Sequence, residues 1–281
     1  MTLPQVLLVD CPDQRGLIHA ITGVLLRHGA NILSNDEFVD REHDRFFMRA
    51  EFVTDGDLDR SPLVAELHSL LPAPADVRVT TPRRHKIVVL ATTEHHCLGE
   101  LLVRHAHGEL GAEIECVISN HATLGPLTER FGLPFHHVPH QGLSRAAHEE
   151  AIEAVLSRYE RDYLVLAKYM RILSPAFIAR YADRIVNIHH SFLPAFVGAN
   201  PYRQAFERGV KIIGATAHFV TDVLDEGPII AQSVVPIDHS YRPDEMARAG
   251  RDVEKIVLAK ALKLVFEDRV FLSGNRTIVF D

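Results

Sequence analysis

From residue 86 onward, short apolar runs rich in β-branched residues alternate with longer amphipathic stretches, and no other feature constrains the fold as much. The apolar runs fall at 86–90, 113–119, 135–138, 163–167 and 185–188, and the helical patterns between them at 98–107, 127–131, 144–158 and 175–181. A strand followed by a helix and then another strand needs a crossover, so this alternation predicts a mostly parallel sheet covered on both faces. A helix at 201–208, strands at 212–220 and 229–237, a long helix from 243 to about 267 and a short end strand at 277–280 complete the pattern.

The first 81 residues follow another plan. Strand patterns at 5–11, 31–40, 45–54 and 77–80 enclose two helices, the first opening at Leu17 after the Asp13–Gly16 turn and the second at Ser61-Pro62. The order βαββαβ is ferredoxin-like. Thr81-Pro82-Arg83-Arg84-His85 is proline-bearing and charged, as linkers are. The predicted organisation is therefore α/β, with a small domain at 1–81, a linker at 82–85 and a Rossmann-like domain at 86–281.

Composition removes several functional classes. A net charge of −7 argues against nucleic acid, whose binders present basic patches. No apolar run approaches the ~20 residues of a membrane span, and no secretory pattern is visible at the N-terminus. Three scattered cysteines, Cys11, Cys97 and Cys116, make no disulfide framework and suit a reducing cytoplasm. The 18 histidines include three adjacent pairs, but none has the spacing of a metal site. Cys97 reads as packed core.

Polar residues that need a reason gather late in the chain. Strand side chains alternate, so Asn187 and His189 share one face at the end of the apolar run Ile185-Val186-Asn187-Ile188. Ligands in open α/β sheets bind beyond the carboxyl ends of strands, where this pair falls. The run at 212–220 leads into Asp225-Glu226-Gly227-Pro228. An amide donor, an imidazole and a carboxylate suit attack on a carbonyl: one group for the oxyanion, one to carry a proton and one to orient the nucleophile.

The wording Asn187-Ile188-His189-His190-Ser191-Phe192-Leu193-Pro194, followed by Gly214-Ala215-Thr216-Ala217-His218-Phe219-Val220 and Asp222 to Pro228, resembles the formyl-tetrahydrofolate hydrolase and transferase superfamily. The similarity covers essentially the whole chain and is greatest to the hydrolase branch. It implies hydrolysis of 10-formyltetrahydrofolate at Asn187, His189 and Asp225, with no metal or cofactor. It also implies a pterin pocket lined by Met170, Arg171, Ile172 and Leu173. The N-terminal segment resembles an ACT domain, which implies a homo-oligomer and an amino-acid effector near Asp13, Gly16, Asn31 and Asn35.

Two departures from the transferase relatives bear on the acceptor. The turn Ala91-Thr92-Thr93-Glu94-His95-His96-Cys97 lacks the glycines that would cradle a phosphate, and Glu94 would repel one. Asn200 stands where those relatives carry a histidine. Both favour water over an amine. Formyl transfer to an amine, a folate sensor without catalysis and a metal-dependent amidohydrolase are the competing readings.

Overall fold

A computed structural model describes residues 4–56, 58–195 and 201–281, apart from the side chain of Pro201. The chain divides into two compact units. The first holds residues 1–83 together with Glu267–Phe271 and Ile278–Asp281, and the second holds Arg84–Phe266 and Leu272–Thr277.

In the first unit, β1 (Gln5–Pro12), α1 (Leu17–Arg27), β2 (Ala30–Asp40), β3 (Arg45–Thr54), α2 (Arg60–Leu70) and β4 (Asp76–Thr80) form an antiparallel sheet in the order β2-β3-β1-β4. The chain turns into α1 at Gly16, whose φ of 90° is open to glycine without strain. One face of β1 packs Leu7, Val9 and Cys11 against Ile21 and Leu25 of α1 and Leu63 and Leu67 of α2. The other face packs Val6 and Leu8, with Phe47 of β3, against Phe271, Ile278 and Phe280. The sequence reading left these last three residues with the second domain. They belong here because β1 has apolar residues on both faces and the helices cover only one.

The second unit runs β5 (His85–Ala91), α3 (His96–Ala106), β6 (Ala112–Ser119), α4 (Gly125–Arg130), β7 (Phe135–His137), α5 (Arg145–Leu156), β8 (Tyr163–Ala167), α6 (Pro175–Arg180), β9 (Ile185–His189), α7 (Pro201–Arg208), β10 (Ile212–Phe219), β11 (Ile229–Pro236) and α8 (Pro243–Phe266). Its seven strands lie in the order β11-β10-β9-β8-β5-β6-β7. The strands from β7 through β9 are parallel, while β10 and β11 are antiparallel to their neighbours. The chain begins in the middle of this sheet at β5, winds outward to β7 and returns on the other side at β8. The boundary between β5 and β8 is therefore the topological switch point. The five innermost residues of β5, Ile87 to Ala91, are fully buried, as a central strand covered on both faces requires.

The chain closes with β12 (Val270–Ser273) and β13 (Arg276–Val279), which pair as a hairpin. The expected end strand corresponds to β13. At four residues, β12 is too short to show a pattern in the sequence. Among the described residues no helix is long and apolar enough to cross a membrane.

Candidate active site

Asn187 and His189 stand at the carboxyl end of β9 and line a cavity of about 290 Å3. The Nδ1 of His189 lies 3.2 Å from Oδ1 of Asp225. A carboxylate only accepts, so Nδ1 carries the proton and Nε2 is the nitrogen left for a ligand. That Nε2 is buried and has no partner among the described residues. The hydrogen bond from His189 holds the Asp225 carboxyl below the usual range, outweighing burial, which acts the other way.

Asp225 reaches this position through a strained turn. Its φ is 58°, in the left-handed region that L-residues avoid. Two residues on, a Cβ at Gly227 would stand 1.8 Å from the carbonyl oxygen of Phe219, so only glycine lets the turn close against the end of β10. The amide of Asn275 donates to the Glu226 carbonyl at 2.9 Å and braces the same turn.

His218 is a site residue that the sequence reading passed over. Antiparallel pairing of β9 with β10 sets it opposite Asn187. Its Nδ1 is 2.8 Å from the Phe219 carbonyl oxygen, which can only accept, so Nδ1 donates. Burial lowers the His218 pKa, and the neutral ring therefore offers its Nε2 as an acceptor. The Asn187 Nδ2 donates to it at 3.1 Å. One N–H of Asn187 is thereby tied and its amide plane fixed, leaving the second N–H free for a substrate oxygen. The nearby Thr216 is fully buried and clamps the loop that follows His189. Its Oγ1 donates to Ser191 O at 2.9 Å and accepts from Leu193 N at 3.1 Å.

Met170, Arg171, Ile172 and Leu173 all line the same cavity. Leu173 is buried, whereas Met170 and Ile172 are more than half exposed, as is Leu224 on the Asp225 loop. Apolar side chains held open around a cavity suit a flat ring system. The wall is anchored at both ends. Met170 N donates to Thr92 Oγ1 at 3.0 Å, and Ser174 N donates to Glu149 Oε1 at 2.7 Å.

A second polar cluster adjoins the first. Glu254 of α8 is fully buried and accepts from His96 Nε2 at 2.7 Å, Tyr202 Oη at 2.6 Å and Lys168 Nζ at 3.2 Å. Burial would raise its pKa, but the His96 hydrogen bond, the Lys168 charge and the Tyr202 hydroxyl together bring it down to about 2. The ring of Tyr202 lies 6.4 Å from that of His190, which is 4.9 Å from His189. Burial, with the charge of Lys168 and of His189, lowers His190 to about 4, so it is neutral at physiological pH.

The Glu254 carboxyl holds its proton less tightly folded than unfolded. Its contribution is complete above about pH 4.5 and is lost as pH falls toward 2, a change of about 3 kcal/mol. The stability difference between wild type and Glu254→Gln, measured by denaturant unfolding, should therefore narrow as pH drops from 5 to 2. A difference that stays constant over that range would contradict the assignment.

His96, Cys97 and Glu254 have ligand atoms close enough for a metal, as do Asp40, Glu42 and His43. In the first group, however, the Lys168 ammonium is already on the carboxylate, and burial pushes the Cys97 thiol well up, which disfavours the thiolate a metal needs. The four suggested effector residues, Asp13, Gly16, Asn31 and Asn35, are all exposed. They do not converge within one copy. Asn31 pairs with Val53 and Pro12 with Arg45, so Asn31 and the Asp13 turn lie toward opposite ends of β3, roughly 26 Å apart along it. Asn200, expected to reshape the acceptor side, lies outside the described residues.

The sequence matches the formyl transferase family over residues 85–262 and the ACT domain over residues 5–71. It is 54% identical over 275 residues to the formyltetrahydrofolate deformylase of Escherichia coli strain K12, covering 98% of each chain. The crystal structure of a formyltetrahydrofolate deformylase from Pseudomonas syringae pv. tomato superposes with a TM-score of 0.94 at 40% identity, covering 100% of this chain and 95% of that one. Glycinamide ribonucleotide transformylase 1 of Symbiobacterium toebii matches 70% of this chain and 95% of its own, with a TM-score of 0.68 at 33% identity.

Proposed function

The chain belongs to the formyl transferase family, and from its full-length kinship with formyltetrahydrofolate deformylases we infer that it hydrolyses 10-formyltetrahydrofolate to formate and tetrahydrofolate. The observation that carries the mechanism is the His189–Asp225 pair, with a free imidazole nitrogen beside an amide whose plane is fixed.

The pterin lies against the wall from Met170 to Leu173, which brings the formyl group to the end of β9. Asp225 orients the attacking water, and the free Nε2 of His189 takes its proton as oxygen adds to the formyl carbon. The free N–H of Asn187 donates to the oxyanion, where a positioned donor acts more strongly in the transition state than in the ground state. His189, its imidazolium charge balanced by the Asp225 carboxylate, passes that proton on to the folate nitrogen, and the carbon–nitrogen bond breaks. Formate and tetrahydrofolate leave. Polarisation of the formyl group is assigned to the free N–H of Asn187, so this reading has no step for a metal or cofactor.

The finer reading extends to setting. Formate released here feeds one-carbon and purine metabolism. Three free, buried cysteines suit a reducing cytoplasm. The protein acts as a homo-oligomer through its ACT domain. Because Asp13 and Asn31 are far apart along one sheet, an amino-acid effector that uses both takes one from each of two copies.

The direct test is to supply purified protein with 10-formyltetrahydrofolate, a chelator and no amine. Formate and tetrahydrofolate should appear in equal amounts. Folate binding without formate would instead favour the transferase or the sensor.

A further inference from the structure

The crevice at a switch point is where doubly wound sheets take ligands. Here it lies between the carboxyl ends of β5 and β8, and it is filled. His96 enters from the helix after β5, Lys168 from the residue after β8, Tyr202 from α7 and Glu254 from α8. Their polar atoms close on the two Glu254 oxygens. Lys168 is 4% exposed, so its charge is committed to this contact. It also adopts a φ of 61°, a left-handed conformation that costs a lysine strain and a glycine nothing.

The position of the cluster suggests what that side chain does. The folate wall occupies one flank of His189. His190, which also lines that cavity, and Tyr202 lead away from the wall to a second side, at Glu254 and Lys168. A nucleophile larger than water would need room on that second side. Transferases of known structure, such as that of Symbiobacterium toebii, share the fold of this unit. Glu94, 3.5 Å from His96 Nδ1, adds a negative charge at the start of α3, where a phosphate would otherwise be welcome.

We propose that Lys168 is a specificity-determining plug: clasped by Glu254, it fills the switch-point crevice and restricts the acceptor of the formyl group to water. The inference rests on the hydrolase reading above and accounts for its choice of acceptor. With the crevice open, a primary amine reaches the formyl carbon. Its nitrogen lone pair forms the new carbon–nitrogen bond, the bond to the folate nitrogen breaks, and the amine proton passes through His189 to that nitrogen.

Lys168→Gly tests the proposal, because glycine relieves the backbone strain while emptying the crevice. The wild type, Lys168→Gly and Lys168→Met receive 10-formyltetrahydrofolate with glycinamide or phosphoribosylglycinamide, and formate and formylated amine are both measured. The glycine variant should shift the amine-to-water ratio upward by at least about tenfold, whereas methionine, which keeps the volume, should stay with water. A folded glycine variant that releases formate at the wild-type ratio would overturn the proposal. Should that variant not fold, Lys168→Ala, which also removes the side chain, reads the same ratio: a rise supports the plug and no rise overturns it. Formate release by wild type without amine is measured first, so failure of the hydrolase reading appears there and failure of the plug only in the ratio.

Discussion

Replacing Asp225 with asparagine should lower turnover by about a thousandfold to ten-thousandfold while leaving the fold intact. The carboxylate only accepts, and it therefore keeps the proton of His189 on Nδ1. An asparagine amide in the same place donates to Nδ1 and moves the proton to Nε2. The imidazole then faces the substrate in the wrong tautomer, and the negative charge that would balance an imidazolium is gone. With its proton on Nε2, the ring can no longer take one from the water. Asn shares with Asp a tolerance for left-handed φ, so the turn at 58° survives the change. Folate affinity, read by fluorescence titration, should remain close to that of the wild type. A variant that keeps a tenth of wild-type turnover would remove Asp225 from the chemistry.

Asn187→Ala should reduce kcat by about 100- to 1000-fold, the usual cost of one oxyanion donor. The effect should fall on kcat more than on KM, because the amide meets a full negative charge only once water has added. Removing the amide also leaves His218 Nε2 buried without its donor, so some stability is lost. Asn187→Asp separates the two effects. It is nearly isosteric, but it accepts where the asparagine donates and should be at least as inactive as alanine. Turnover of Asn187→Ala near the wild-type value would mean that the oxyanion is held elsewhere.

The features legible in sequence were those with local signatures. The alternation after residue 86 predicted the parallel strands, and the Asn187 and His189 side chains came out on one cavity wall because strand periodicity is strict. The antiparallel turn of β10 and β11 was not foreseen, since strand direction and register are set by pairing between separate segments and leave no local pattern in the sequence. That register is what brings His218 to Asn187, so a histidine within an apolar run passed for core. The Glu254 cluster was hidden for a similar reason. Its members come from residues 96, 168, 202 and 254, and nothing local marks a charge whose partners are so distant in the chain. Lys168 carried a sign only in its backbone, as a left-handed residue that is not glycine. The packing of Phe271 and Phe280 against β1 was equally hidden, because four-residue strands carry too few positions for alternation to register.

Water as the acceptor is the central claim, and isotope transfer tests it most directly. Turnover of 10-formyltetrahydrofolate in ¹⁸O-enriched water, with a chelator and no amine, should yield formate carrying oxygen from the solvent, analysed by mass spectrometry. Formate should match tetrahydrofolate in amount, and Asp225→Asn should release neither above background. Unlabelled formate, or formate formed only when an amine is supplied, would contradict attack by water at this site.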